Sequence, residues 1–177
     1  MKWVLLIYSL PTEPTRKRAF VWRELKKVGA VYLRDGVCVL PDRPDTRQAL
    51  QAIAARVRAF EGQAAVVEEA HLDDGTAEGL VAQASAVRQA EYAAVVEAGE
   101  ALLSHLRREI EHRAFTEHEL ATLGADLVKL RRWCDQIRGR DYFETDTVAA
   151  AQAVLAACEE TLAGYRDTIS LHAEVSR

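Results

Sequence analysis

Ala30-Val31-Tyr32-Leu33, then Arg34-Asp35-Gly36, then Val37-Cys38-Val39-Leu40, is the stretch on which the fold turns. Two short apolar runs rich in β-branched and aromatic residues flank Asp35-Gly36, a dipeptide suited to the positive φ angles of a tight hairpin turn. Upstream, Trp3–Tyr8 is a continuous apolar run that ends at Ser9-Leu10-Pro11 and reads as a strand buried on both faces. Between them, Thr12, Glu13 and Pro14 mark a helix start. Val21, Leu25 and Val28 then recur at helical spacing, with Phe20 and Trp22 widening the apolar face, and Gly29 is the stop. Downstream, Asp42 before Pro44 starts a second helix with the stripe Leu50, Ile53, Ala54, Val57, closed by Gly62. Ala64–Val67 is a weaker strand. The order strand, helix, strand, strand, helix, strand predicts a ferredoxin-like, split βαβ domain over residues 1–72, with a four-stranded antiparallel sheet and two helices on one face.

Beyond the linker His71–Gly75 the period changes. Tyr92, Val96, Gly99, Leu103, Leu106, Ile110 form one heptad stripe. Leu120, Leu123, Leu127, Leu130, Cys134, Ile137 form a second, and Val148, Ala151, Leu155, Cys158, Leu162, Tyr165, Ile169 a third. Thr116 with Glu119 is a capping box, and Phe115 with Leu120 a hydrophobic staple. Gly139–Glu144 separates the second and third helices. Short connections predict an antiparallel three-helix bundle over residues 73–177, so the whole chain is of α+β class.

The chain has 177 residues, 49% hydrophobic and 28% charged, which excludes whole-chain disorder. No apolar run reaches the length of a membrane span, and no secretory signal is evident. Three scattered cysteines (Cys38, Cys134, Cys158) give neither a disulfide framework nor a zinc site and read as small buried hydrophobes. A cytoplasmic protein without cofactor is the expectation. Charge is uneven. Residues 1–60 carry 12 bases and 5 acids, a net +7, against −11 for the remainder. A basic third can face nucleic acid or a small anion, or the chain's own acidic remainder.

The bases concentrate at Arg16, Lys17, Arg18, Arg23, Lys26 and Lys27. Arg16, Arg23 and Lys27 share one helix face, a stripe able to neutralise phosphates or to be an ordinary solvated surface. No helix-turn-helix accompanies it. His105, Glu109 and His112 lie at i, i+4, i+7 and include one Glu-x-x-His string, but carboxylate-bridged metal bundles use two such strings. His105 and His112 fall off the buried stripe, so the metal reading stays a minor alternative, and His172 reads as a packing residue. Nucleophile, P-loop and dinucleotide motifs are missing, and no acid pair stands out, so no enzyme is expected. The string Leu130–Phe143 carries Arg131, Arg132, Trp133, Arg138, Arg140 and Asp141. It reads either as a packed helix end held by the pairs Arg131–Asp135 and Asp135–Arg138, with Trp133, Tyr142 and Phe143 against a neighbouring element, or as an arginine pocket for an oxyanion.

The opening Trp3–Tyr8 with Pro11-Thr12-Glu13-Pro14, Val21-Trp22-Arg23, and Asp35–Pro41, together with the Leu130–Phe143 string, resembles the N-terminal domain of the ChrB-type chromate-resistance regulators over nearly the whole chain. The resemblance implies a chromate-sensitive transcriptional regulator of an efflux operon, in which this region precedes a chromate-responsive domain. The chain ends at Arg177, about where that domain would begin, so no residue here inherits a sensing role. The sheet-containing part is also similar to the middle domain of phenylacetate-type repressors and, more distantly, to the small CRISPR adaptation nuclease. That nuclease places an acidic metal ligand at the end of its first strand. Ser9 stands there in this chain, so nuclease activity is not implied. The partners expected are DNA, a second copy of the chain or a separate sensing domain, with no membrane. Three functions compete: a DNA-binding regulatory module, an interaction or dimerisation module without nucleic acid, and a metal-binding helical protein.

Overall fold

In a computed structural model, residues 1–112 and 116–175 are described, with backbone only for Glu117 and residues 167–175. Phe115 lies outside the described residues, as do the side chains of Ile169 and His172. Contacts divide the chain into two compact units, Met1–Ala86 with Arg140–Phe143, and Val87–Gly139 with Glu144–Arg177. The division thus falls inside a long helix rather than at the linker His71–Gly75, and a four-residue segment from the second half belongs to the first unit.

The N-terminal unit is built from β1 (Trp3–Ser9), α1 (Thr15–Lys27), β2 (Val31–Arg34), β3 (Val37–Pro41), α2 (Pro44–Ala59) and β4 (Gln63–Ala70). The sheet order is β2-β3-β1-β4, with every pairing antiparallel, as the split βαβ reading requires. Side chains alternate across the sheet. Val4 and Leu6 of β1, with Cys38 and Leu40 of β3, pack under Val21 and Leu25 of α1 and Leu50, Ile53, Ala54 and Val57 of α2. Trp3, Val31 and Val39 point the other way. They are covered by Leu72, by Phe143 and by Ala77, Leu80, Val81 and Ala84 of α3 (Asp74–His112). That cover reaches only one end of the sheet. Ile7 is 44% exposed and Val67 40%, so β1 is not buried on both faces throughout its length.

Two helix starts differ from expectation. Asp42 does not cap α2. Its carboxylate holds the Arg47 guanidinium and accepts a 2.7 Å hydrogen bond from Glu69 N, which ties the start of α2 to β4. The first turn is instead closed by buried Thr46, whose Oγ1 donates to Pro41 O at 2.6 Å and accepts from Arg43 N at 3.0 Å. Asp73, read as linker, caps α3 by accepting from Thr76 N at 2.9 Å.

These carboxylates give the unit an acid limit. The Arg47 guanidinium holds Asp42 below the usual carboxylate range, and the Lys2 ammonium does the same for Glu69. A depressed folded-state pKa contributes stability that is present above the unfolded value and lost as pH falls through the folded one. Melting followed from pH 7 to pH 2.5 should therefore show the unit weakening below about pH 4. Asp42→Asn should be less stable at neutral pH and show a shallower acid limb. An acid limb identical to the parent's would remove Asp42 from the account.

The second unit packs the remainder of α3, α4 (Glu117–Arg138) and α5 (Val148–Val175) around one core. Thr116 caps α4, accepting from Glu119 N at 3.2 Å. The second and third stripes are buried or partly buried wherever side chains are described. On α3 the buried row is Tyr92, Val95, Gly99, Leu102 and Leu106, with Val96 and Leu103 at its flank and Ile110 exposed. The expected stripe was therefore rotated slightly from the true one. A strict 3-4 repeat keeps to a narrow seam, whereas a helix at 3.6 residues per turn drifts across it. Arg131 of α4 pairs with Glu159 of α5, each about two to three turns from the short connection between the helices, so α4 and α5 run antiparallel. Cys158 Sγ meets Gly99 O at 3.4 Å between α5 and α3.

Candidate functional site

The six bases of α1 do not act as one group. Val21 and Leu25 face the core, which sets the roll of the helix. At 100° per residue, Arg16, Arg23 and Lys27 then form one exposed ridge. Thr15, Arg18, Ala19, Trp22 and Lys26 lie along a second, neighbouring strip. Lys17 falls on the opposite flank and is consumed there: its Nζ donates to Phe60 O at 3.3 Å and to Glu61 Oε2 at 3.0 Å. Lys27 Nζ pairs with Glu24 Oε1 at 2.6 Å. Arg16, Arg18, Arg23 and Lys26 are exposed and make no ion pair among the described residues.

Elsewhere the fold uses much of the basic excess internally. Arg47 is held by Asp42, Glu68 and Glu69, and Lys2 by Glu69. Arg43 and Arg56 lie over the rings of Tyr142 and Phe20, and Arg58 donates to Ala64 O. Of the bases in residues 1–60 that have no carboxylate partner among the described residues, Arg16, Arg18, Arg23 and Lys26 share the single helix α1, while Arg34, Arg43, Arg56 and Arg58 are dispersed over other elements.

Trp22 does not widen the apolar face of α1. It is 51% exposed and lines a cleft of about 810 Å³ with Arg18 and Ala19, the end of β1 (Tyr8, Ser9, Leu10), Tyr32, Asp35 and Gly36. Tyr8 and Tyr32, both half-buried, join hydroxyls at 2.9 Å. Burial raises the pKa of each phenol, so both stay protonated at neutral pH. Gly36 has φ +73°, and a Cβ there would stand 2.6 Å from Tyr8 O, so only glycine fits. The tyrosine pair is the feature sequence reasoning missed. Alternation places Tyr8 on the helix-covered face, but its pairing with Tyr32 needs the strand register.

The Leu130–Phe143 string is shared out between the two units. Arg131 pairs with Glu159 of α5 rather than with Asp135, while Arg138 Nη2 pairs with Asp135 at 3.2 Å. Trp133 packs on the bundle core, and Arg132 lies beside it in a groove with Leu120, Gly124, Val128 and Arg166. Arg140, Asp141, Tyr142 and Phe143 belong to the N-terminal unit. There Tyr142 Oη donates to Val28 O at 2.9 Å, Arg43 Nη2 donates to Tyr142 O at 3.3 Å, and the Phe143 ring stands 6.1 Å from Trp3. Gly29, at φ +75°, lies under Arg140, whose Cβ would be 3.1 Å from an added methyl. The segment works as a clasp on the turn between α1 and β2.

His105 is exposed, with Nε2 3.4 Å from Glu109 Oε1, and His112 is exposed too. Among the described residues no cluster of three or more His, Cys, Asp or Glu could hold a metal ion. Cys38, Cys134 and Cys158 are buried, and burial pushes the Cys38 thiol up to about 12, which leaves no thiolate to act as a nucleophile. No described helix is long and apolar enough to cross a membrane.

The chain belongs to the family described as Protein ChrB, N-terminal, whose sequence model matches residues 18–175. It is similar to Protein ChrB of Cupriavidus metallidurans, 38% identical over 72 residues, which cover 41% of this chain and 22% of that protein. The match thus spans about a fifth of the relative's length. No solved structure matches.

Proposed function

We propose that this member of the ChrB N-terminal family is a non-enzymatic regulatory module of chromate resistance that binds DNA through the α1 ridge of Arg16, Arg23 and Lys27. The observation that carries the reading is the placement of charge. The fold pairs Lys2, Lys17 and Arg47 with carboxylates, whereas Arg16 and Arg23 stand exposed on one rigid helix face without an ion pair among the described residues, beside Lys27, whose only carboxylate there is its helix neighbour Glu24. Each phosphate neutralised releases condensed counterion, so the affinity for duplex falls with salt at a slope of about −0.9 per contact. Fluorescence anisotropy on the DNA upstream of the gene, at several salt concentrations, tests this. Replacing Arg16, Arg23 and Lys27 by Gln should lower the affinity and shrink the slope by about two, with melting nearly unchanged. An unchanged slope in the folded triple variant would move the contact off this ridge.

A second reading, self-association without nucleic acid, is favoured by the uncovered end of the sheet. Ile7 and Val67 lie on one face, since Leu5 pairs with Val67 and Ile7 with Ala65. Failure of the parent to bind duplex at low salt, with a dimer that Ile7→Lys dissociates in light scattering, would favour it.

A further inference from the structure

We infer that the cleft between α1 and the β2–β3 turn is a binding site for a nucleoside 5′-phosphate, with the base stacked on Trp22 and the phosphate on Arg18. A half-exposed tryptophan in the wall of a concave, mixed-polarity site is unusual, because its large ring would ordinarily be buried. Lys26 Nζ stands 5.2 Å from the centroid of the Trp22 ring and is not among the cleft's walls, whereas the ring itself is half exposed and lines the cleft. Of the three residues between Arg18 and Trp22 only the small Ala19 lines the cleft, which leaves room in that wall for a flat ring.

The polar groups suit the same ligand. Arg18 and Asp35 line the same cleft as the Tyr8–Tyr32 hydroxyl pair, so a cation, an anion and a phenol pair share one set of walls. When one of two bonded hydroxyls donates to the other, one phenolic proton of the pair remains to donate to a ligand. The cleft therefore offers a cation for phosphate, a neutral donor, a carboxylate able to accept from an exocyclic amine, and an aromatic platform. A bare inorganic oxyanion would leave the Trp22 ring and the Asp35 carboxylate unused and would fill little of about 810 Å³. The site goes beyond the proposed duplex contact, since Arg16, Arg23 and Lys27 are not among its walls.

The source of the nucleotide is either a free mononucleotide or an unpaired residue of a strand. Isothermal titration of the full chain with AMP, ribose 5-phosphate, adenosine and a single-stranded hexanucleotide separates them. AMP should bind, and Trp22→Ala should weaken it about tenfold or more. Arg18→Gln should weaken AMP while leaving adenosine unchanged. Arg16, Arg23 and Lys27 replaced together by Gln should leave AMP binding intact, so failure of the duplex reading does not bear on this one. AMP binding without the hexanucleotide assigns a free nucleotide, and hexanucleotide binding lost in Trp22→Ala assigns a strand. Both carry the site. Binding of neither AMP nor hexanucleotide overturns it, as does affinity unchanged in a folded Trp22→Ala variant or ribose 5-phosphate binding as tightly as AMP.

Discussion

Leu127→Asp should unfold the helical unit at ordinary temperature. Leu127 sits in α4, 6% exposed, in the same core as Leu123, Cys134, Leu155, Cys158 and Leu162. Losing its buried methyl groups alone costs about 2–5 kcal/mol. The aspartate adds either a carboxylate without a partner in an apolar core or the protonation needed to neutralise it. The total is on the scale of a small unit's entire stability, about 5–15 kcal/mol. Val128, one position on, is exposed, so Val128→Asp should change stability by no more than about 0.5 kcal/mol. Helical ellipticity against temperature separates the pair. Two variants that melt alike would mean that the register of α4 in the bundle is wrong.

Tyr142→Ala should loosen the N-terminal unit, although the residue lies 114 positions from the carbonyl it meets. Three interactions go together: the hydrogen bond to Val28 O, the ring's packing against the core under α1 and α2, and the Arg43 guanidinium over its face. The ring is only partly buried, so the loss should be about 2–3 kcal/mol, below the full cost of removing a core aromatic. Tyr142→Phe keeps the ring and removes only the hydroxyl, for about 1 kcal/mol. Hydrogen exchange is the local readout. Amides at the end of α1 and the start of β2 should lose protection in the alanine variant and hold most of it in the phenylalanine one. Equal protection in all three proteins would show that the clasp does not hold the turn.

The ridge and the cleft divide the basic segment in a way that charge counting could not. Composition gives a net +7 over residues 1–60 but does not say which charges the fold consumes. Lys17 and Lys2 find partners through chain reversals that bring residues 61 and 69 beside them, and Arg47 reaches back five residues to Asp42 at the start of α2. Arg16 and Arg23 meet no such neighbour among the described residues. Which bases of α1 reach the surface is thus set by the packing of Val21 and Leu25, which fixes the roll of the helix.

Several features were determined by local sequence. The hairpin at Asp35-Gly36, the apolar runs of β1 and β3, the α2 stripe, the Thr116 cap and two of the three heptad seams depend on neighbours within a few residues, where periodicity and turn chemistry act directly. The ChrB-type strings were legible for the same reason. What only the tertiary structure decided depends on contacts between distant segments. These are the Tyr8–Tyr32 hydroxyl pair, the exposure of Trp22, the diversion of Asp42 from cap to clamp, and the return of Arg140–Phe143 to the N-terminal unit. A one-dimensional pattern says whether a residue is apolar, not which surface will be there to cover it. Trp22 and Tyr142 are both aromatic, and neither stands on a helix's core stripe: Trp22 lies off the stripe of α1 and Tyr142 lies in the connection between α4 and α5. One was left in a cleft wall and the other folded under Arg43, because the partner surface arrived for only one of them.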